Sequence, residues 1–417
     1  MKKIKLTALA LLSAFSLGIS GCTSVQAEDL TKGIYRKTVK GTVADSDFVN
    51  ANMNFSLELF KNVQGEKLGE NVLISPLSAA MALSLTANGA DGETLAEMEK
   101  LLGGDITVDQ LNKYLYSCLD SFRSGYGFKL KIANSVWIKN DPDLKVEKDF
   151  LQNAVDYYDS EVYSENFDGK TVSAVNNWVK ANTDGMIPKI IDKIEEDTVM
   201  YLINALAFDA EWETIYKDNH VNTGTFTNSN GEKQSVKMMS STEYVYLEDD
   251  NAVGFMKGYK GGKYSFAALL PNENISVKDY IGGLDFESLH KTLSEPESYV
   301  VRTEMPKFSF DFGVSLNDSL KAMGMPSAFN SENADFSKMA QYKDKNIYIS
   351  DVIHKTFISV DEKGTKAGAA TLVSMDATGA AGTMEDPKIV ILDRPFVFMI
   401  IDKETSLPIF MGTVESV

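Results

Sequence analysis

A single α+β domain over residues 46–417 is predicted by three observations. Apolar residues recur at helical spacing through the first part of that span, whereas short β-prone runs between turn residues dominate after residue 222. Helices and strands do not alternate as βαβ units, and no internal repeat or Pro/Gly/Ser-rich linker breaks the span. At ordinary domain sizes 417 residues allow two or three domains; the missing boundary argues for one large one.

Taken in order, Phe48, Ala51, Phe55, Leu59 and Phe60 mark the first helix. Residues 71–78 read as a short strand stopped at Ser75-Pro76, with a helix over 79–88 and another over 93–102 that closes at Gly103-Gly104. Leu111, Tyr114, Leu115, Cys118, Leu119 and Phe122 share a helical face, on which Cys118 reads as a buried, inert thiol. Residues 132–138 and 202–208 are predicted as buried strands with a helix over 172–181 between them. Strands follow at 225–227, 244–247, 266–270, 299–303, 307–312, 352–360, 388–391, 396–402 and 407–414, interrupted by a helix at 316–323.

Charge and composition exclude several functions. Against 59 Asp+Glu the chain has only 41 Lys+Arg, a formal charge of −18 that argues against nucleic-acid binding. Two Cys exclude a disulfide scaffold or a multi-Cys zinc module. His220, His290 and His354 lie far apart with no metal-ligand spacing, and no nucleophile elbow, P-loop or dinucleotide turn is present. Acidic pairs such as Glu195-Glu196 and Asp249-Asp250 read as solvated surface. No metal or cofactor is expected, and catalysis is unsupported.

Residues 1–21 read as an export signal. Lys2, Lys3 and Lys5 precede an apolar run over 6–17 that is too short to span a bilayer comfortably. Ile19-Ser20-Gly21-Cys22 is similar to a bacterial lipobox, in which the Cys is lipidated and becomes the new N-terminus. An ordinary signal cut near Val25-Gln26-Ala27 is the alternative. Either way the mature chain is exported, to the cell surface if Cys22 is lipidated. Losing the signal's three lysines takes the formal charge from −18 to −21. Residues 22–45 lack a long apolar pattern and read as a tether.

The most informative anomaly lies at 364–382, a run of small and β-tolerant residues between strand-like segments. Thr365, Ala367, Ala369, Thr371, Val373, Met375 and Ala377 fall on one parity and are all small or apolar. The other parity holds both charges, Lys366 and Asp376. That is the period of a half-buried strand, so the segment is suited both to an exposed loop and to entry between existing strands.

The chain here resembles the serpin family, over essentially all of residues 47–417. Asp361 to Thr371 is similar to the family's hinge, and Leu392-Asp393-Arg394-Pro395-Phe396 to its C-terminal signature. Ser75-Pro76-Leu77-Ser78, Asn176-Asn177-Trp178, Asn204-Ala205-Leu206-Ala207-Phe208 through Trp212, and Leu269-Leu270-Pro271 match in order. The resemblance implies three β-sheets, eight to nine helices and an exposed reactive-centre loop at about 362–391. It also implies a monomeric inhibitor rather than an enzyme. A serine protease would take the loop as substrate and be trapped as an acyl-enzyme when the cut loop inserts into the central sheet.

Several roles follow from that resemblance. Glu362, Gly364, Thr365, Ala367, Ala369, Ala370 and Thr371 would form the hinge. Ser75, Ser78, Asn204 and His354 match the family's shutter, and Trp212 its breach. The hinge count puts the cut bond between Thr378 and Gly379, whereas the spacing from Pro395 puts it between Met384 and Glu385. Both bonds offer small or medium uncharged residues, which suits an elastase-like or subtilisin-like protease. A serpin that binds without inhibiting is the alternative. Asp209-Ala210 and Lys366 depart from the family's usual Lys-Gly and acid.

Overall fold

The computed structural model describes residues 27–123, 126–195, 198–365 and 386–417. Cys22 and the signal, Ala367, Ala369, Ala370 and Thr371, and both candidate bonds (Thr378, Gly379, Met384, Glu385) lie outside the described residues. Among those described, nine α-helices and three sheets of seven, nine and two strands form one α+β domain.

The first helix, Ser46–Glu66, is capped by Asp45, whose side chain accepts the Phe48 N–H. Pro76–Ala87 begins three residues earlier than its apolar pattern indicates, because Ser75 caps it and Pro76 supplies a preset first turn. All twelve of its residues are buried, as suits a helix apolar on every side. It packs beneath the seven-stranded sheet, and its first turn lies under the middle strands.

That sheet is the functional core of the fold. Met200–Glu211 pairs antiparallel with Phe128–Lys139 on one side. On its other side it pairs in parallel with Asp351–Val360, through seven positions from Tyr201↔Asp351 to Ala207↔Phe357. Near the C-terminal ends of this parallel pair, the two-residue strand Gly364–Thr365 sits between them, with Gly364 opposite Glu211 and Thr365 opposite Ala210. Even-numbered residues of Met200–Glu211 (Leu202, Leu206, Phe208, Ala210) face the main core. Tyr201, Ile203 and Ala205 face a smaller core beneath the Gly169–Asn182 helix, where Trp137 stacks on Tyr163 at 4.3 Å.

Several elements exceed their sequence signal. Lys233–Glu248 is one sixteen-residue strand where only 244–247 looks β-prone, because its exposed positions are polar. The short helices Val277–Gly283 and Phe286–Ser294 and the strand Glu161–Glu165 carry too little periodicity to stand out.

One expectation is corrected. Residues 27–45 are not a free tether but a strap held against the body. Glu28–Asp29 pairs antiparallel with Glu161–Glu165 at the sheet edge, and Leu30 N–H donates to Val162 O at 2.8 Å. Arg36 donates to Val155 O at 2.8 Å and pairs with Asp159 at 2.5 Å. Lys37 N–H reaches Asp156 Oδ1 at 2.7 Å, and Thr42 N–H reaches Lys113 O at 3.1 Å. Backbone pairing needs no apolar repeat, so the periodicity test misses it. Deleting residues 22–40 of the mature chain should remove ~2–4 kcal/mol of these bonds and lower the unfolding midpoint by a few degrees in a circular-dichroism melt. An unchanged midpoint would mean the strap does not dock.

Candidate functional site

The parallel pair is pinned at mid-height by a buried polar cluster. His354 and Asn204 lie directly opposite each other, and both point toward the Pro76–Ala87 helix. Ser75 N–H donates to His354 Nε2 at 3.0 Å, which leaves the proton on Nδ1 to donate to Asn204 Oδ1. The Asn204 amide donates to Ser78 O at 3.0 Å, to Ser78 Oγ at 2.5 Å and to Asn134 Oδ1. Thr356 Oγ1 donates to Leu73 O at 2.7 Å two positions higher. Ser75, Ser78, Asn204 and His354 are all fully buried. The four residues predicted from separate segments therefore meet in one network that ties both strands to the helix. Parting the strands would break the His354–Asn204 bond and leave buried polar groups unmade, at ~1–3 kcal/mol each.

Asn134 and Thr356 were missed from the sequence. Asn134-Ser135 is a polar pair inside the otherwise apolar run from Ile132 to Ile138, and that interruption was the available signal.

The second cluster holds the upper ends. Trp212 is buried; its backbone N–H donates to Lys363 O at 2.9 Å and its indole N–H to Asp361 O at 2.8 Å. Tyr216 N–H donates to Glu362 O at 2.9 Å. Tyr259 stacks on Trp212 at 4.6 Å and places its hydroxyl 2.5 Å from that of Thr365. Beneath them the buried Lys257 pairs with Glu243 at 2.7 Å and lies 4.5 Å over the Tyr216 ring. Glu362 pairs with Lys307, which holds its carboxyl below the usual range. Gly364 is required by close approach: a Cβ there would lie 2.0 Å from Ala210 O. Of the residues assigned to the hinge, Glu362, Gly364 and Thr365 are seated beside Trp212. Tyr216, Lys257 and Tyr259 join them unforeseen, since an aromatic or a lone Lys in a strand reads as ordinary packing.

Residues 366–385 lie outside the described residues, and the sequence places them between two strands. Thr365 is buried in the seven-stranded sheet, while Lys388–Ile391 pairs in parallel with Glu297–Pro306 at the edge of the nine-stranded one. Within the expected loop of about 362–391, Gly364–Thr365 and Lys388–Ile391 lie in strands. Cys118 is a free thiol whose pKa burial pushes up to about 12. Among the described residues no cluster of side chains could hold a metal, and no helix is long and apolar enough to cross a membrane.

Comparison with known proteins identifies this arrangement. The family model for serpins, described as serine protease inhibitors, matches residues 50–417, and the chain belongs to that family. A serpin-like protein of Thermococcus kodakarensis is 32% identical over 370 residues, covering 87% of this chain and 84% of that protein. The human leukocyte elastase inhibitor is 29% identical over 383 residues, covering 88% of this chain and 98% of that protein. Among solved structures, the thermophilic serpin tengpin in its native state superposes with a TM-score of 0.88 at 49% identity, covering 94% of this chain and all of that one. Its latent state gives 0.77, covering 92% of this chain. Serpins are generally protease inhibitors, not catalytic enzymes.

His354 supplies a pH test. Burial lowers its pKa to about 3, whereas an unfolded imidazole titrates near 6.5. The unfolded chain therefore binds a proton between these values that the closed pair rejects. Stability from this site is complete above pH ~6.5 and falls as pH drops toward 3, at up to ~1.4 kcal/mol per unit. Urea unfolding at pH 7 and pH 5 should show a smaller loss for His354→Gln than for the parent; equal losses would remove His354 from the account.

Proposed function

We propose that this serpin is a suicide-substrate inhibitor of an elastase-like or subtilisin-like serine protease, exported and anchored by lipid on Cys22. The observation that carries the reading is the Gly364–Thr365 strand, already entered between the ends of the parallel pair. Further entry in that register would bring position 375 level with Met200, at the opposite end of the strand. Residues 367, 369, 371 and 373 would lie opposite Phe208, Leu206, Asn204 and Leu202, on the face that meets the main core. Their small or apolar side chains suit that face.

The register also bears on the cut bond. Position 378 would fall three residues beyond Met200 and position 384 nine residues beyond it. A short connection pulls an attached protease against the body, whereas a long one leaves it slack, which favours the bond between Thr378 and Gly379. The strand from 365 to 378 would span about 45 Å, enough to carry a protease across the molecule. A relative named as a leukocyte elastase inhibitor supports the target class.

Two departures from the family pattern compensate each other in this register. Position 366 falls opposite Asp209, so the cationic Lys366 would meet an acid on the outward face where the family commonly sets the reverse pair. Asp209→Lys should raise the number of inhibitor molecules consumed per protease trapped. Adding Lys366→Glu should restore the parent value; failure of that rescue would refute the register.

Incubation with an elastase and a subtilisin should yield an SDS-resistant complex with a cut between Met375 and Glu385, read by mass spectrometry. Thr365→Arg should be cleaved without trapping, because Thr365 is buried beside Tyr259 and an Arg there would bury an unpaired charge. Cleavage without complex by the parent would overturn inhibition, and trapping by Thr365→Arg would overturn insertion.

A further inference from the structure

The strap fixes which end of the molecule the N-terminal chain leaves from. Glu28 pairs with Ser164, Ser164 with Ile138, and Ile138 with Met200. Glu28 is therefore level with the first residue of Met200–Glu211, whereas the hinge enters at its last two, Ala210 and Glu211. At ~3.3 Å per residue these levels are about 33 Å apart. The direction of the chain is fixed as well. From Asp29 it climbs past Val162 to Asp159 and Val155 and on to Lys113, so the described chain begins, at Ala27, by the lower edge. Cys22 is five residues before Ala27 and, at ~3.3–3.6 Å per residue, no more than about 18 Å from it. A tether running free to residue 45 would set no orientation, whereas docking from Glu28 onward brings the anchor close to one edge of the body.

We propose that the anchored protein stands on the membrane with this lower pole toward the lipid surface and its hinge pole outward. The inference rests on the Cys22 anchor proposed above. The lower pole is the one formed by Asn140, Asp141 and Lys345, where Lys345 pairs with Asp141 at 3.1 Å just beyond the ends of Phe128–Lys139 and before Asp351–Val360. The upper pole carries Lys260, whose N–H bonds Glu211 O, together with Trp212 and the hinge. A bond exposed near the hinge is thereby offered to proteases arriving from solution. The inserted register would bring a trapped protease down to the lipid-facing end.

The three tryptophans of the chain allow a direct test. Trp137, level with Tyr201, and Trp178 packed against it report the lower half, and Trp212 reports the hinge pole. The mature chain carrying Cys118→Ser, so that Cys22 is its one thiol, is coupled to a maleimide phospholipid at pH 7. It is then bound to phosphatidylcholine vesicles carrying a dansyl lipid. With Trp137 and Trp212 about 35 Å apart, the Trp212→Phe variant should lose at least about threefold more emission to dansyl than Trp137→Phe/Trp178→Phe. Equal transfer, or more from Trp212, would overturn the orientation. Should either variant fold poorly, the unmodified chain on vesicles with a photoactivatable headgroup decides. Cross-links at 140–145 and 344–346 but not 259–263 support the proposal, and the reverse pattern overturns it. Mass spectrometry of the native N-terminus separately tests lipidation, so its failure would remove the Cys22 reading and not the geometry.

Discussion

Everything in this molecule depends on two parallel strands being neighbours that need not stay so. Met200–Glu211 and Asp351–Val360 share seven paired positions, yet their upper ends already diverge to admit Gly364 and Thr365. A parallel ladder is slightly weaker per residue than an antiparallel one. An antiparallel newcomer between them would replace one parallel ladder with two antiparallel ones. On the proposed mechanism the sheet is complete enough to be stable and incomplete enough to accept a strand. What keeps it closed is polar: the Ser75–His354–Asn204–Ser78 network at mid-height, and the bonds from Trp212 and Tyr216 to residues 361–363 above.

The distribution of polarity follows from that constraint. A sheet held only by apolar packing could slide open gradually, whereas buried hydrogen bonds are made or lost as units. His354 cannot be protonated without losing its acceptance from Ser75, so the closed state fixes its tautomer and charge together. Lys257 and Glu243 play the corresponding part higher up, where a buried cation sits against the aromatic rings that grip the hinge. The strap adds polarity of another kind by tying the N-terminal chain to the pole farthest from the hinge.

Much of this was legible before any coordinates. Apolar periodicity announced Ser46–Glu66, and a nearly continuous run of apolar and small residues after Ser75-Pro76 announced most of Pro76–Ala87. Ser75, Ser78, Asn204 and His354 were legible as a group only through family resemblance, since nothing local connects residues so far apart in sequence. Asn134 was overlooked because a polar residue in a buried strand gains meaning only once its neighbour across the sheet is known. The strap escaped because backbone pairing and an ion pair hold much of it, and the few apolar residues that pack on the main core, Leu30, Ile34 and Ala44, follow no helical or strand period. Asp209 could not be interpreted from its own segment; only the register of Thr365 shows which position of an inserted strand would fall opposite it.

The central claim is that the described fold is a trapped state, with its most stable arrangement reached only when the segment after Thr365 is freed to fill the sheet. Thermal unfolding of the intact chain, compared with the chain nicked once between residues 375 and 385, tests this most directly. The account predicts that nicking moves the midpoint upward by far more than the few degrees one kcal/mol produces. A midpoint that stays in place or falls on nicking would contradict it.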